Sequence, residues 1–442
     1  MKILICGANG FLGRHISLAL QQARHEVCHG VRQRSMGADC NKFSELEINY
    51  AQDTDPAVWI ARLQKLGQID VIINAIGILN ESETQRFTDI HRDAPIALFQ
   101  AASYCGVKAV VQLSALGGKQ DGNVDVVTSA YMKTKRAADA HLMQTGLTYL
   151  ILRPSLVVGI DGISSSLFRC LASLPALGLP GHGEQQLQPV HIDDICTAIV
   201  IWLANTARNK MVLHAVGPQA MTYRAMLENY RLAMGMSPQL LFGIPMPLMR
   251  TIAKMAMHLP QKILTPDSLS MLELGNTADA GPFEAHLQKP PTSAKHWFDG
   301  IPADMLASAA IAKWCLPLFR LTLAILWLVT AALSFGIYPV ESSLQLLAPL
   351  GLNGMPAFMV LMSASMLDLG LGVATLLWPG RILWLAQIIL IISYSLIIAI
   401  FSPEFYLHPF GPVLKNLPIL ALLLYLYAHA SGQKMTTQRV SK

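Results

Sequence analysis

Lys2-Ile3-Leu4-Ile5-Cys6-Gly7-Ala8-Asn9-Gly10-Phe11-Leu12-Gly13 is the stretch on which the fold turns. The apolar run Ile3 to Cys6 reads as a buried strand. It breaks into Gly7-x-x-Gly10-x-x-Gly13, and a helical pattern follows from Arg14. Strand, glycine turn and helix in this order form a dinucleotide-binding arrangement. Gly7 permits the tight turn, Gly10 lets backbone approach a pyrophosphate, and Gly13 allows close helix–strand packing. The helix N-terminus faces the phosphates. Gly7, Asn9, Gly10, Phe11, Leu12 and Gly13 are therefore the candidate phosphate-binding set.

The spacing is GxxGxxG, and the form Gly-Ala-Asn-Gly-Phe-Leu-Gly resembles the short-chain dehydrogenase/reductase superfamily in its extended or atypical branch. The resemblance implies a doubly wound parallel sheet, a bound nicotinamide dinucleotide and a set of positions downstream. His25 to Val31 reads as the second strand, whose end meets the adenosine ribose. An acid there favours NAD and an arginine accommodates a 2′-phosphate. This chain has Arg32 and Arg34 and no acid at the strand end, so NADP(H) is expected over NAD(H). Asp53 stands where the family places an Asp near the adenine. Val71 to Gly77 reads as the fourth strand, with Asn74, Ala75 and Gly77 in the turn beside the cofactor.

Val110 to Leu113 ends in Ser114, and Tyr131-x-x-x-Lys135 follows. Positions i and i+4 share one helix face, so both side chains can enter one pocket. A free phenol has a pKa of about 10, and a neighbouring ammonium is expected to lower it. The resemblance makes Tyr131 the proton donor or acceptor. Lys135 lowers its pKa and holds the nicotinamide ribose, Ser114 positions the substrate oxygen, and Asn74 supports the cofactor loop. Extended members commonly carry a Ser pair or Ser/Thr pair and a longer interval here. This chain has Ser114-Ala115, and Tyr131 only 17 residues on. Ser114 serves, or Ser129 does, or that role is lost. Leu152 to Gly159 matches the sixth strand and exit loop, and Gln188 to Ile195 the segment opening a helix under the substrate lobe. Asn-Ala-Ile-Gly-Ile-Leu, Ser-Ala-Leu-Gly and Thr-Lys-Arg-Ala-Ala-Asp are similar to the NADPH-binding accessory subunits of complex I.

Of 442 residues, 52% are hydrophobic and 14% charged, against about a quarter charged in soluble proteins. The deficit is local: residues 313–442 hold seven basic and three acidic residues. Residues 1–312 are nearly neutral, with no basic patch that would suit nucleic acid. The motif at residue 2 leaves no room ahead of it for a signal or transit peptide. Cys6, Cys28, Cys40, Cys105, Cys170, Cys196 and Cys315 form no CxxC pair, as expected for thiols in a reducing compartment. His25-Glu26-Val27-Cys28-His29 matches a zinc-protease pattern that requires a helix. On a strand the two histidines stand roughly 13 Å apart, too far to share a metal. No metal site is expected.

The fold expectation is a Rossmann-type α/β domain over 1–312, with a substrate lobe within 160–312, then a four-helix membrane domain over 313–432. Leu177 to Gly183 is expected as a loop over the active site. Phe242 to Leu259 is read as an amphipathic helix, packed in the lobe or touching the bilayer surface. Leu321–Ile337, Met355–Trp378, Ile382–Ser402 and Phe410–Ala430 each fit a span of about 20 apolar residues. Lys313, Arg320, Arg381, Lys434, Arg439 and Lys442 fall on one side and Lys415 on the other, which puts both termini in the cytoplasm of an inner-membrane protein. The membrane part resembles the DoxX-like family through its helix number and Asp368 in the second span. Asp368 is a proton-handling or ligand-binding group, near a quinone head for example, or a neutral packing residue. The function expected is a membrane-anchored oxidoreductase moving hydride between NADP(H) and a carbonyl, alcohol or quinone-like apolar substrate. Alternatives are a non-catalytic NADP(H)-binding structural or sensing protein and a nucleotide-sugar epimerase or dehydratase. A lipid bilayer is the implied partner, with a membrane-complex partner or a second copy of the chain.

Overall fold

The computed structural model describes residues 1–33, 44–120, 123–127, 129–257, 265–407 and 411–440. The chain divides into two compact units, Met1–Ile311 and Ala312–Lys442. In the first, seven strands form one parallel sheet: β1 Lys2–Cys6, β2 Glu26–Val31, β3 Ser44–Glu47, β4 Val71–Asn74, β5 Ala109–Leu113, β6 Thr148–Pro154 and β7 Met211–Ala215. Their order is β7-β6-β5-β4-β1-β2-β3. The order reverses between β1 and β4, the switch point where such sheets bind ligands.

β1 shows why the sheet is covered on both faces. Successive side chains point to opposite faces. Ile3 and Ile5 join one core with Ile16 and Leu20 of helix α1 (Phe11–Gln22) and Ile195, Ile199 and Trp202 of a later helix. Leu4 and Cys6 join the other core with Trp59 and Leu63 of α2 (Pro56–Leu66) and Leu98 and Phe99 of α3 (Ala94–Tyr104). The same second core takes Ala138 and Leu142 of α4 (Ala130–Gln144). Ile3, Leu4, Ile5 and Cys6 are all fully buried, as a continuous apolar run in a parallel sheet requires.

The lobe carries α5 Ile163–Ser173, α6 Ile192–Ala204, α7 Tyr223–Ala233 and α8 Met246–Ala256. Its core gathers Tyr230, Trp297, Phe298, Leu306 and Ala310. The stretch expected as a loop, Leu177 to Gly183, begins instead as a strand: Ala176–Pro180 pairs in parallel with Leu240–Ile244. Gly178 hides this from the sequence, because a Cβ there would come within 2.3 Å of Ile244 in the partner strand. The expected helix over 242–259 is shorter for the same reason, since its first residues belong to that strand. Asp194 on α6 accepts from the Thr292 amide (2.7 Å) and hydroxyl (3.1 Å), so this acid ties lobe segments together.

The second unit is helical. α9 spans Ala303–Ala332 and runs into a π-helical turn Leu333–Ile337; α10 is Gly354–Leu377, α11 Arg381–Phe401 and α12 Asn416–Val440. Among the described residues, three helices are long and apolar enough to cross a membrane: Ala303–Ile337, Gly354–Leu377 and Arg381–Phe401. The first begins well before the expected Leu321, because a helix continues through Lys313 and Arg320 where an apolar count stops. The fourth expected span corresponds to an apolar stretch of α12, Asn416–Ala430, which is shorter than the other three. A core of Leu323, Trp327, Leu371, Trp384, Ile388 and Leu423 joins the four helices.

Candidate active site

The glycine turn is built as its spacing dictates. Gly7 has φ +87°, a conformation that L side chains rarely adopt. A Cβ on Gly13 would fall 2.1 Å from the Gly7 carbonyl oxygen and 2.8 Å from Ala8 Cα, so only glycine lets α1 lie this close to the turn. Gly10 is the N-cap of α1, and no side chain caps the helix. Its first-turn amides are thus available to an anion, with Asn9 and Gly10 exposed beside them. Bare backbone, an uncapped helix start and the switch point fit a dinucleotide pyrophosphate held by Gly7, Asn9, Gly10, Phe11, Leu12 and Gly13. Phe11 packs against the exit loop, where a Cβ on Gly159 would meet its ring at 2.7 Å. Arg14 and His15 bind Asp161 of that loop at 2.6 and 2.9 Å, a tie that no motif signalled.

The adenosine side is less uniform. Arg32 follows β2 and is exposed. Arg34 lies outside the described residues. Asp53 is 5% exposed. Its carboxylate accepts from the Asn49 amide and pairs with Arg62, both at 2.5 Å. His25-Glu26-Val27-Cys28-His29 runs along β2, not along a helix, and the His29 ring lies 2.6 Å from the Ser17 hydroxyl.

At the end of β4, Asn74 accepts from Tyr50 (3.0 Å) and donates to Gln112 (2.8 Å), locking strand ends beneath the turn. Ala75 continues this turn and Gly77 is exposed on it. A Cβ on Gly77 would lie 3.2 Å from Lys135 Nζ and 3.7 Å from His91 Nε2. Tyr131 and Lys135 occupy one face of α4, as their spacing predicts, with Nζ 5.9 Å from the phenol ring centroid. Lys135 Nζ donates to the Leu113 carbonyl at 2.9 Å. Burial lowers the Lys135 pKa to about 8, opposed by Asp139. Burial pushes the Tyr131 phenol up to about 12, and the opposing charge is Arg136. Burial therefore outweighs the neighbouring charge here, and the phenol lies above its ordinary value.

Ser114 is engaged by a different residue of α4. Its hydroxyl donates to Asp139 at 2.7 Å, and the same carboxylate oxygen pairs with Arg136 and Arg153, each at 3.2 Å. Ser129 caps α4 by accepting from the Met132 amide at 3.2 Å. Neither serine is joined to Tyr131 by a hydrogen bond in the described contacts.

His91 is the residue the sequence did not signal. It sits in a π-helical turn, Thr88–Asp93, a geometry frequent at functional sites. Its ring stacks on Phe87 (5.3 Å) and meets Tyr131 edge-on (5.1 Å). The Ile78 amide donates to Nε2 at 3.0 Å, which leaves the ring proton on Nδ1, facing the Thr134 hydroxyl at 3.5 Å. Burial lowers the His91 pKa to about 2, assisted by Lys135. Between about pH 2 and the ordinary value of 6.5, the unfolded chain binds a proton here that the folded chain does not. Stability should therefore fall as pH drops below 6.5, by about 1.4 kcal/mol per pH unit. Thermal unfolding of the full chain from pH 7 to 5 should show this loss, and His91→Gln should flatten it. An equal acid slope in the variant would remove His91 as its source.

Residues 3–213 match the NAD dependent epimerase/dehydratase family, and residues 324–424 match the DoxX-like family. The chain joins an epimerase-type Rossmann domain to a DoxX-like domain. The chain is 24% identical to a protein named ceramide reductase from Caulobacter vibrioides, over 54% of this chain and 72% of that one. Identity is also 24% to NADH dehydrogenase [ubiquinone] 1 alpha subcomplex subunit 9 of Arabidopsis thaliana, over 51% of this chain and 56% of that one. Among solved structures, UDP-glucuronic acid 4-epimerase from Bacillus cereus in complex with NAD is 17% identical, with a TM-score of 0.51 over 71% of this chain and 98% of that one. UDP-glucose 4-epimerase from Thermotoga maritima is 14% identical, with a TM-score of 0.51 over 70% and 98%. These likenesses carry the fold. The epimerase-type domain is NAD(P)-binding, and the DoxX-like domain makes this a membrane protein.

Proposed function

We propose that the protein is a membrane-anchored NADP(H)-dependent oxidoreductase that reduces or forms a carbonyl on an apolar, lipid-like or quinone-like molecule. The observation that carries this is Tyr131 and Lys135 on one face of α4, in ring contact with His91 and beside the Gly77 turn. A bound nicotinamide supplies hydride. Tyr131 gives its phenolic proton to the carbonyl oxygen, or takes it in the reverse direction. Lys135, charged below about pH 8, supplies the positive field and a donor for a ribose hydroxyl. His91, held neutral, orients the Tyr131 ring and presents no competing charge. The substrate class draws support from the membrane helices and from the relative named ceramide reductase. NADPH oxidation by the full chain in lipid nanodiscs, with long-chain ketones and quinones as acceptors, tests this reading. No turnover with either class, at saturating NADPH, would refute it.

Arg32 supports NADP(H) over NAD(H), since a guanidinium can pair with the 2′-phosphate in charge-assisted bonds. Replacing Arg32 and Arg34 by Gln should weaken NADPH binding about 10-fold or more and leave NADH unchanged, a difference of about 1.4 kcal/mol. Titration of nicotinamide fluorescence measures both. Equal affinity for the two cofactors in the unaltered protein would sink the preference.

A second reading is binding without turnover. It is favoured by the engaged Ser114 hydroxyl and by a Tyr131 phenol that burial raises rather than lowers. Epimerase or dehydratase chemistry on a nucleotide sugar shares the same fold, and binding of a UDP-sugar would favour it. For the membrane domain we propose four spans with both termini cytoplasmic, on the six-to-one basic count. Reporter fusions after Ala430 and within 340–352 should fall on opposite sides. The same side for both would require another span count.

A further inference from the structure

We propose that Asp368 is a proton-binding site inside the helical bundle, a carboxyl held protonated at neutral pH that exchanges its proton with water. Asp368 lies in α10, one of the helices apolar enough to span a membrane, and is 5% exposed within the protein. Its Oδ1 is sealed and makes no hydrogen bond among the described residues. That sets it apart from its neighbours. Ser365, one turn earlier, donates to the Leu361 carbonyl at 2.7 Å. Thr375, two turns later, donates to Leu371 (2.7 Å) and accepts from Gln387 (2.8 Å), which in turn accepts from Trp327 (3.0 Å). Each of these polar groups is satisfied, whereas Asp368 Oδ1 and Arg320 Nε are the helical unit's buried side-chain atoms without a partner among the described residues.

No cation compensates the acid among the described contacts. Arg320 of α9 donates to the Leu376 carbonyl at 3.1 Å, eight residues or about 12 Å further along α10. Among titratable groups, Tyr394 of α11 lies near enough to interact with Asp368 and carries no cation. From α9, Leu328 packs near this face: a Cβ on Gly372, one turn beyond Asp368, would meet it at 2.8 Å. An ionised carboxylate with one oxygen unsolvated and no partner costs several kcal/mol; the protonated acid avoids that cost. A carboxyl so placed takes up and gives back a proton within the membrane, where ionisable groups are rare and serve such roles.

The test is infrared spectroscopy on the full chain in lipid nanodiscs. At pH 7 the carbonyl stretch of a protonated carboxylic acid should be present, shift down in D2O, and be lost in Asp368→Asn. Asp368→Glu should keep the band at a shifted position, which assigns it even where the Asn variant fails to fold. No difference between the unaltered protein and a folded Asp368→Asn variant in the protonated-acid carbonyl region, with loss of carboxylate stretches in the variant instead, would show an ionised carboxylate and overturn the proposal. A band that D2O does not shift would show a sealed packing residue, and would overturn it equally.

Discussion

Replacing Tyr131 by phenylalanine is expected to cut NADPH-dependent carbonyl reduction by about 10² to 10⁴-fold, the usual contribution of a positioned general acid. NADPH affinity should change little. The lost hydroxyl acts on the developing alkoxide, whereas the ring contacts with Phe87 and His91 remain. Lys135→Ala should instead weaken binding and turnover together, because the ammonium fills the space beside Gly77. Single-turnover oxidation of prebound NADPH separates the two effects. A Tyr131→Phe variant that turns over at the original rate would take Tyr131 out of the reaction. It would also shift weight to the binding-only reading, which the tie between Ser114 and Asp139 already favours.

How far the sequence carried the structure depends on whether each element leaves a local signature. β1, β4 and β5 were legible because each is a short apolar run buried on both faces and ending in a turn residue; the sixth strand, expected from Leu152, runs instead over Thr148–Pro154. β3 was not: Ser44-Glu45-Leu46-Glu47 is an edge strand with Leu46 alone buried, so no apolar run announces it. The strand Ala176–Pro180 was hidden by the Gly and Pro that its close pairing tolerates. At the site, Tyr131 and Lys135 were legible because i,i+4 spacing on a helix is itself geometry. His91 was not, because its place beside Tyr131 is made by a π-helical turn and a tertiary contact, neither of which has a spacing rule. The partner of Ser114 was equally invisible. Asp139 lies on the same helix as Tyr131, and only the folded chain brings it beneath the end of β5.

Adding one methyl group to Gly13 should abolish dinucleotide binding. In Gly13→Ala the new Cβ would stand 2.1 Å from the Gly7 carbonyl oxygen and 2.8 Å from Ala8 Cα. Both are backbone atoms, so no side chain can swing aside. Either α1 moves away from the turn or the turn itself opens. The first breaks the packing of Ile16 and Leu20 under the sheet, with an overpacking cost of about 1–3 kcal/mol. The second displaces Gly10 and the amides that would meet the pyrophosphate. Each route removes the anion site, so NADPH affinity should fall at least about 100-fold, a loss of about 2.8 kcal/mol. Gly146→Ala is the matched control, since nothing lies within 4 Å of a Cβ there. Fluorescence titration of NADPH, alongside thermal unfolding of each full-length variant, checks both parts. Unchanged NADPH binding in a folded Gly13→Ala protein would mean that the glycine turn of residues 7–13 does not hold the dinucleotide.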